Sequence, residues 1–222
     1  MAESLNGPGG WRTDPLYTVP EAAHMAHVSS NTVRNWLYGR EHREPLFKAP
    51  PTPMVSFLQL VEIVIAANFR KAENVSFGRV RRAYVNAQEI LQLEYPFAYA
   101  ELRAVGGHIV HAMHEQTPEP SYQGMDEPTQ WTLPGLVSNI VSQIRFERKL
   151  AAQWYPVGDK APIVVDPRIT SGVPTISGRG VTVRIIRKRF LAGQQIDFIA
   201  RDFELENSVV EQAIRYAELI AA

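Results

Sequence analysis

Between Tyr17 and Gly39, Val19, Ala22, Ala23 and Ala26 recur at helical spacing, Val28 follows, and Val33, Trp36 and Leu37 recur in turn. Spacings of three and four place each set on one stripe of a helix. The small side chains constrain the packing most. Two short helices that cross steeply touch only if a residue like Ala23 sits at the crossing. Ser29 or Ser30 supplies an N-cap oxygen for the second helix. His27 stands at the turn position that Gly usually holds, and His tolerates a left-handed backbone better than bulkier residues do.

The same apolar frame returns at a constant offset of 177 residues, from Val19 to Ile196. Val19, Ala22, Ala23, Ala26, Val28, Thr32, Val33, Trp36 and Leu37 correspond to Ile196, Ile199, Ala200, Phe203, Leu205, Val209, Val210, Ala213 and Ile214. The outer faces differ. In the first copy solvent meets Ser30, Asn31, Thr32, Arg34, Asn35 and Tyr38, with no acid between Ser29 and Gly39. An ordinary helical hairpin exposes Glu and Lys. An acid-free face of hydrogen-bonding groups fits a helix that enters a DNA major groove. The second copy shows Glu206, Asn207, Ser208, Glu211 and Gln212. Its carboxylates repel phosphate, so a protein-contact role through Glu206 and Glu211 is expected.

Net charge is zero, 23 basic against 23 acidic residues, yet the charges are segregated. Residues 68–82 carry Arg70, Lys71, Arg79, Arg81 and Arg82 against Glu73 alone, and residues 179–189 carry five cations and no acid. Screening confines electrostatics to a Debye length of about 8 Å at physiological salt, so local patches outweigh the sum. Within the second patch, Arg184, Arg187, Lys188 and Arg189 are candidates for contact with phosphate or with an acidic protein site; the alternative is a solvated face.

An apolar content of 45% excludes a disordered chain. No apolar run approaches the roughly 20 residues of a membrane span, and the N-terminus lacks the basic and apolar regions of a signal peptide. The absence of cysteine removes disulfides, zinc ribbons and thiol chemistry. A cytoplasmic location without a membrane partner is expected.

The expected architecture is mainly α with small β elements. Residues 1–15 form a disordered leader, and 16–104 a winged helix-turn-helix domain. Residues 105–162 are a connecting segment with a strand and a helix, and 163–222 a C-terminal domain with the second helix-turn-helix-like pair. Residues 56–72 read as a helix with Phe57, Leu60, Val61, Val64, Ile65 and Phe69 on its stripe, and Ser76 opens another. Leu133–Leu150 reads as a helix, and IVVD, VPTIS and VTVRI as strands.

Tyr17, Val19, Glu21, Ala22, Ala23, Val28, Ser29, Thr32, Val33, Arg34 and Trp36 resemble the signature of the winged helix-turn-helix of MerR regulators. That resemblance implies a wing over residues 39–54, with Arg40, Arg43 and Lys48 near phosphates. The chain departs from the family in having no cysteine for metal sensing and no long C-terminal coiled coil. Residues 163–222 are similar to a small bacterial domain, through Asp166, Pro167, Ile169, Gly172, Pro174, Ile176, Gly178, Val181, Val183, Leu191, Gly193, Ile196, Ile199, Tyr216 and Ala217. Arg179 and Gly180 replace its usual Thr-Arg pair. Together the two segments resemble VapB-type antitoxins. This implies a PIN-domain ribonuclease as partner, double-stranded DNA of the chain's own operator as ligand, and a homodimer that sets two recognition helices on paired half-sites.

His108, His111 and His114 invite a metal reading, but neither a strand nor a helix puts all three on one face, so surface or packing roles account for them better. SGVPTISGRG lacks the Gly-Lys-Ser/Thr of a phosphate loop. No catalytic constellation stands out, so neither an enzyme nor a cofactor is expected. The rival readings are a stand-alone MerR-like regulator with a ligand-sensing C-terminal part and an adaptor with degenerate DNA-binding domains.

Overall fold

A computed structural model describes residues 10–41, 44–71, 77–100 and 140–221. Arg43, Ser76 and the three histidines at 108, 111 and 114 lie outside the described residues. The chain is mainly helical, with three small antiparallel strand pairs among the described residues.

β1 (Tyr17–Thr18) leads directly into α1 (Val19–Met25), which a capping box fixes: Glu21 N–H donates to Thr18 Oγ1 while the Glu21 carboxylate accepts from Thr18 N–H. His27 takes the left-handed conformation at φ 54°. Of the two candidate caps, Ser29 starts α2 (Ser30–Tyr38), accepting from Thr32 N–H at 3.1 Å. Gly39, at φ 77°, ends it. The expected wing differs. Described residues 44–53 hold no strand, and β2 (Met54–Val55) pairs back with β1, Tyr17 opposite Val55. Leu46 and Phe47 instead donate their N–H groups to the Trp36 carbonyl, at 2.7 and 3.0 Å, and bury their side chains.

α3 (Phe57–Lys71) is buried all round from Phe57 to Ala67, not along one stripe. A helix covered on every side is the centre of a core. α4 (Phe77–Leu91) packs against it, and edge-to-face rings run from Trp36 through Phe47, Tyr84 and Phe97 to Phe69, with centroids 5.1–6.1 Å apart. Glu62 lies inside this core, accepting from Tyr84 Oη at 3.3 Å and from Phe97 N–H at 3.4 Å. Burial pushes its carboxyl well above the usual range, and these two bonds only partly offset that.

Leu133–Leu150 is not one helix. Residues 133–139 are outside the described residues, 140–142 are helical, and β3 (Ile144–Glu147) then pairs with β4 (Leu150–Trp154). Arg148 and Lys149, both at positive φ, make the two-residue turn that suits a twisted hairpin. Ile144, Ala151 and Trp154 join the first core rather than a separate connector. The described residues also begin before residue 16. Gly10–Arg12 forms a 3₁₀ turn whose Arg12 Nε donates to the Ala151 carbonyl at 3.0 Å, and Arg12 and Arg168 both lie over the Trp11 ring. Asp166, 2% exposed, receives Gln153 and Arg168. Burial pushes its carboxyl up, but these bonds win and hold it below its ordinary value.

The second core spans residues 161–220. β5 (Ile163–Val164) pairs with β6 (Thr175–Ile176). Of the expected strand VTVRI only Thr182 bridges to Thr175; from Val183 the chain is the start of α5 (Val183–Leu191), because the Thr182 side chain caps it and accepts from Ile185 N–H. α6 (Ile196–Phe203) and α7 (Asn207–Leu219) complete the unit. The two cores meet where Tyr17 Oη donates to the Gly172 carbonyl at 3.2 Å. Gly172 sits at φ 72°, and a Cβ there would fall 2.1 Å from Tyr17 Oη.

Candidate nucleic-acid and partner interfaces

The face of α2 opposite Val33, Trp36 and Leu37 carries Asn31, Arg34 and Tyr38, all exposed, with Ser30, Thr32 and Asn35 half-buried beside them. No acid lies on this helix. Thr32 Oγ1 lies 2.8 Å from Ser29 Oγ, so part of its capacity serves the cap. Arg34 has no ion-pair partner among the described residues.

Thr32 and Asn35 open into a hollow of about 190 Å³, whose other walls include Arg40, Glu44, Arg70 and Phe77. The Glu44 carboxylate is answered by Arg81 at 2.9 Å, and Arg81 also donates to the Glu44 carbonyl. Arg40 and Arg70 are left without an ion-pair partner among the described residues. Two unanswered guanidinium groups beside an acid-free helix can receive an anionic oxygen without disturbing another contact. Lys48, expected in the same role, is exposed and paired with Glu94 at 2.7 Å. Arg70 is the addition that sequence reading did not place in the site. Its signal was the basic end of α3, Arg70 and Lys71. Burial first, then the Lys71 charge, hold the nearby His27 imidazole below its usual value.

The second helical pair repeats the first in backbone detail. Ile196 starts α6 as Val19 starts α1, and Asn207 starts α7 as Ser30 starts α2. Glu204, at φ 52°, matches His27. The Leu205 N–H donates to the Ala200 carbonyl at 2.8 Å as Val28 does to Ala23 at 3.0 Å, and Val210 donates to Glu206 as Val33 does to Ser29. Its outer face is exposed at Glu206 and Glu211, the latter 3.7 Å from Arg215.

The four-cation run lies on α5 and is split by the helix. Arg184 and Lys188 are exposed, without ion-pair partners among the described residues. Arg187 is half-buried. Arg189 turns inward to Asp202 and Gln194, its guanidinium 4.7 Å from the Phe203 ring centre. The structure thus separates the outward Arg184 and Lys188 from Arg189, which ties α5 to α6.

Residues 163–217 match a family described as "Protein of unknown function (DUF433)". The chain is 25% identical over 231 residues to "Uncharacterized protein Rv2308" of Mycobacterium tuberculosis (strain ATCC 25618 / H37Rv), covering 93% of this chain and 94% of that protein. It is 26% identical over 225 residues to the protein of the same strain named "Putative antitoxin VapB45", covering 90% and 92%. It also matches the X-ray crystal structure of Rv2018 from Mycobacterium tuberculosis at 24% identity and a TM-score of 0.72, over 92% of this chain and 98% of that one. The chain therefore shares its fold with that protein over nearly the whole length of both.

Proposed function

We propose that this chain is a non-catalytic regulator, the antitoxin of a toxin–antitoxin pair. It neutralises a PIN-domain ribonuclease by direct binding and represses its own operon as a DNA-binding homodimer. The observation that carries the reading is the face of α2. Asn31, Arg34, Asn35 and Tyr38 project from a capped helix with no carboxylate on it, and Arg40 and Arg70 stand beside it without ion-pair partners among the described residues. Arg34, Asn31 and Asn35 address base edges, while Arg40, Arg70 and Lys48 address phosphates. The similarity to a protein named as an antitoxin and the match of residues 163–217 support a toxin as the second partner. The acid on the second pair, at Glu206 and Glu211, supports a protein-contact role for that pair. The basic helix α5 is the element offered to the acidic, metal-binding site of a nuclease.

The test is a tagged purification from the native host with mass spectrometry, followed by binding to the chain's own promoter at several salt concentrations. A small PIN-like nuclease in stoichiometric amount, together with DNA binding that weakens steeply with salt, is the expected result. Recovery of the chain alone, still bound to its promoter, would replace this reading with a stand-alone regulator. Loss of DNA binding at all salt concentrations would leave an adaptor.

A further inference from the structure

The described residues expose seven large hydrophobic side chains, and four of them fall between residues 185 and 198: Ile185 (45% exposed), Phe190 (36%), Leu191 (62%) and Phe198 (52%). Such a concentration in a small soluble unit marks a contact surface, whereas single exposed apolar residues do not. α5 sets Ile185 and Leu191 on its outer side together with Arg184 and Lys188, since 184, 188 and 191 follow the helical period. Phe198 rises from the start of α6, beside a shallow hollow of about 370 Å³ that Gln194, Gln195 and Asp197 also line. The patch is held rigid from below. Arg189 bonds to Asp202 across the two helices and lies between the rings of Phe198 and Phe203, at 5.8 and 4.7 Å.

We infer that the outer face of α5 with Phe198 is a docking surface for a partner protein, one that offers an apolar pocket for Leu191 and Phe198 and carboxylates for Arg184 and Lys188. Charge complementarity selects that occupant. The two outward cations have no acid of their own to answer them among the described residues, whereas Arg189, turned inward, is answered by Asp202. Nucleic acid fits this face poorly, because bulky apolar groups stand between the cations. The inference rests on the antitoxin reading for the partner's identity, the ribonuclease, and adds where that partner sits: on α5 and the start of α6, away from Glu206 and Glu211.

The experiment repeats the tagged purification with two full-length double variants, Leu191→Glu with Phe198→Glu and Arg184→Glu with Lys188→Glu. Promoter binding and thermal melting are followed for each. Both should recover at least tenfold less ribonuclease than the wild type, with melting and promoter binding unchanged. The charge variant adds no apolar exposure, so it reports even if the first fails to fold. Wild-type recovery by both patch variants would overturn the inference and leave the antitoxin reading standing. Loss of promoter binding instead of ribonuclease would assign the face to DNA and overturn it as well. Absence of ribonuclease from the wild-type purification would end both readings together.

Discussion

The helical pair at residues 19–38 and the pair at 196–219 share their helix starts, their left-handed turn residue and the hydrogen bond that closes the turn, at one constant offset. They differ in everything that faces outward. Arg34 stands where the second pair has Glu211, and Asn31 and Asn35 where it has Ser208 and Gln212. The caps differ too. The first pair has Thr18 and Ser29, whose oxygens accept backbone N–H bonds, while the second has Gln195 and Glu206, which make no side-chain cap bond. A backbone frame of this kind is fixed by small apolar residues at the crossing, and the outer face is free to choose the ligand.

The largest expected effect comes from giving the first pair the charge of the second. Arg34→Glu removes one base contact per half-site and places a carboxylate against phosphate. At ~1–3 kcal/mol per contact, counted in both half-sites, promoter affinity should fall by at least about thirtyfold. Melting should be unchanged, because the side chain is exposed. Gel-shift titration at fixed salt measures the loss. Retained affinity would mean that α2 is not the reading helix, and the two pairs would then be alike in function as well as in backbone.

The frame itself is tested next. Ala23 and Ala200 are fully buried at matching positions, 0% and 2% exposed. Leu at either should overpack the crossing and cost about 1–3 kcal/mol, read as a lower melting temperature in each case. Ala23→Leu should also lower promoter affinity, whereas Ala200→Leu should leave it intact. A cost at one site only would break the structural equivalence.

The parts of this molecule that local chemistry decides were legible in the sequence. The helical stripes at Val19–Leu37 and Ile196–Ile214 and the capping role of Ser29 are examples. What long-range packing decides was not. α3 has a clear stripe, yet its opposite side is also buried, because the hairpin of Ile144 to Trp154 and the turn at Trp11 cover it. Neither cover is foreshadowed near α3 in the chain. The hairpin was itself hidden, since Arg148 and Lys149 carry none of the Gly or Asn that normally announces a turn with positive φ. VTVRI reads as a strand through its β-branched residues, and the Thr182 cap decides otherwise. In the candidate site, Arg34 and its neighbours could be read from the missing acid. Arg70 could not be placed until α3 brought it to Thr32 and Asn35 from more than thirty residues away.

The tie between the two pairs gives a third prediction. Tyr17 leads into the first pair and reaches Gly172; burial raises the ionisation of its hydroxyl above the ordinary range, as it does for the buried Tyr216 of α7, where Tyr17 adds to the effect. Gly172→Ala puts a methyl group where Tyr17 Oη stands and forces an L residue to φ 72°. It should destabilise by about 1–3 kcal/mol, more than Tyr17→Phe, which removes only one hydrogen bond worth about 0.5–1.5 kcal/mol. Melting of the two variants gives the order. The reverse order would show that the hydroxyl, not the close approach, joins the cores.

The smallest effect separates the two turns. His27 and Glu204 both hold a left-handed backbone that costs an L residue about 1–2 kcal/mol. Glycine at either should relieve part of that strain, with a gain of about 0.5–1 kcal/mol after its own entropy cost is counted. The pH dependence should differ between them. Burial and then Lys71 depress the His27 imidazole, so the folded state binds its proton less readily than the unfolded chain does. Stability is therefore complete above the unfolded histidine value and declines as pH falls through it towards the lower folded value. The ring is largely solvated, so the decline is shallow. His27→Gly removes that decline, and its advantage over the wild type should widen between neutral pH and about pH 5. Glu204→Gly leaves His27 in place and so keeps the decline of the wild type, and no such widening should accompany its gain. Thermal melts at the two pH values decide it. Parallel behaviour of the two variants would mean that protonation at the first turn does not reach the fold.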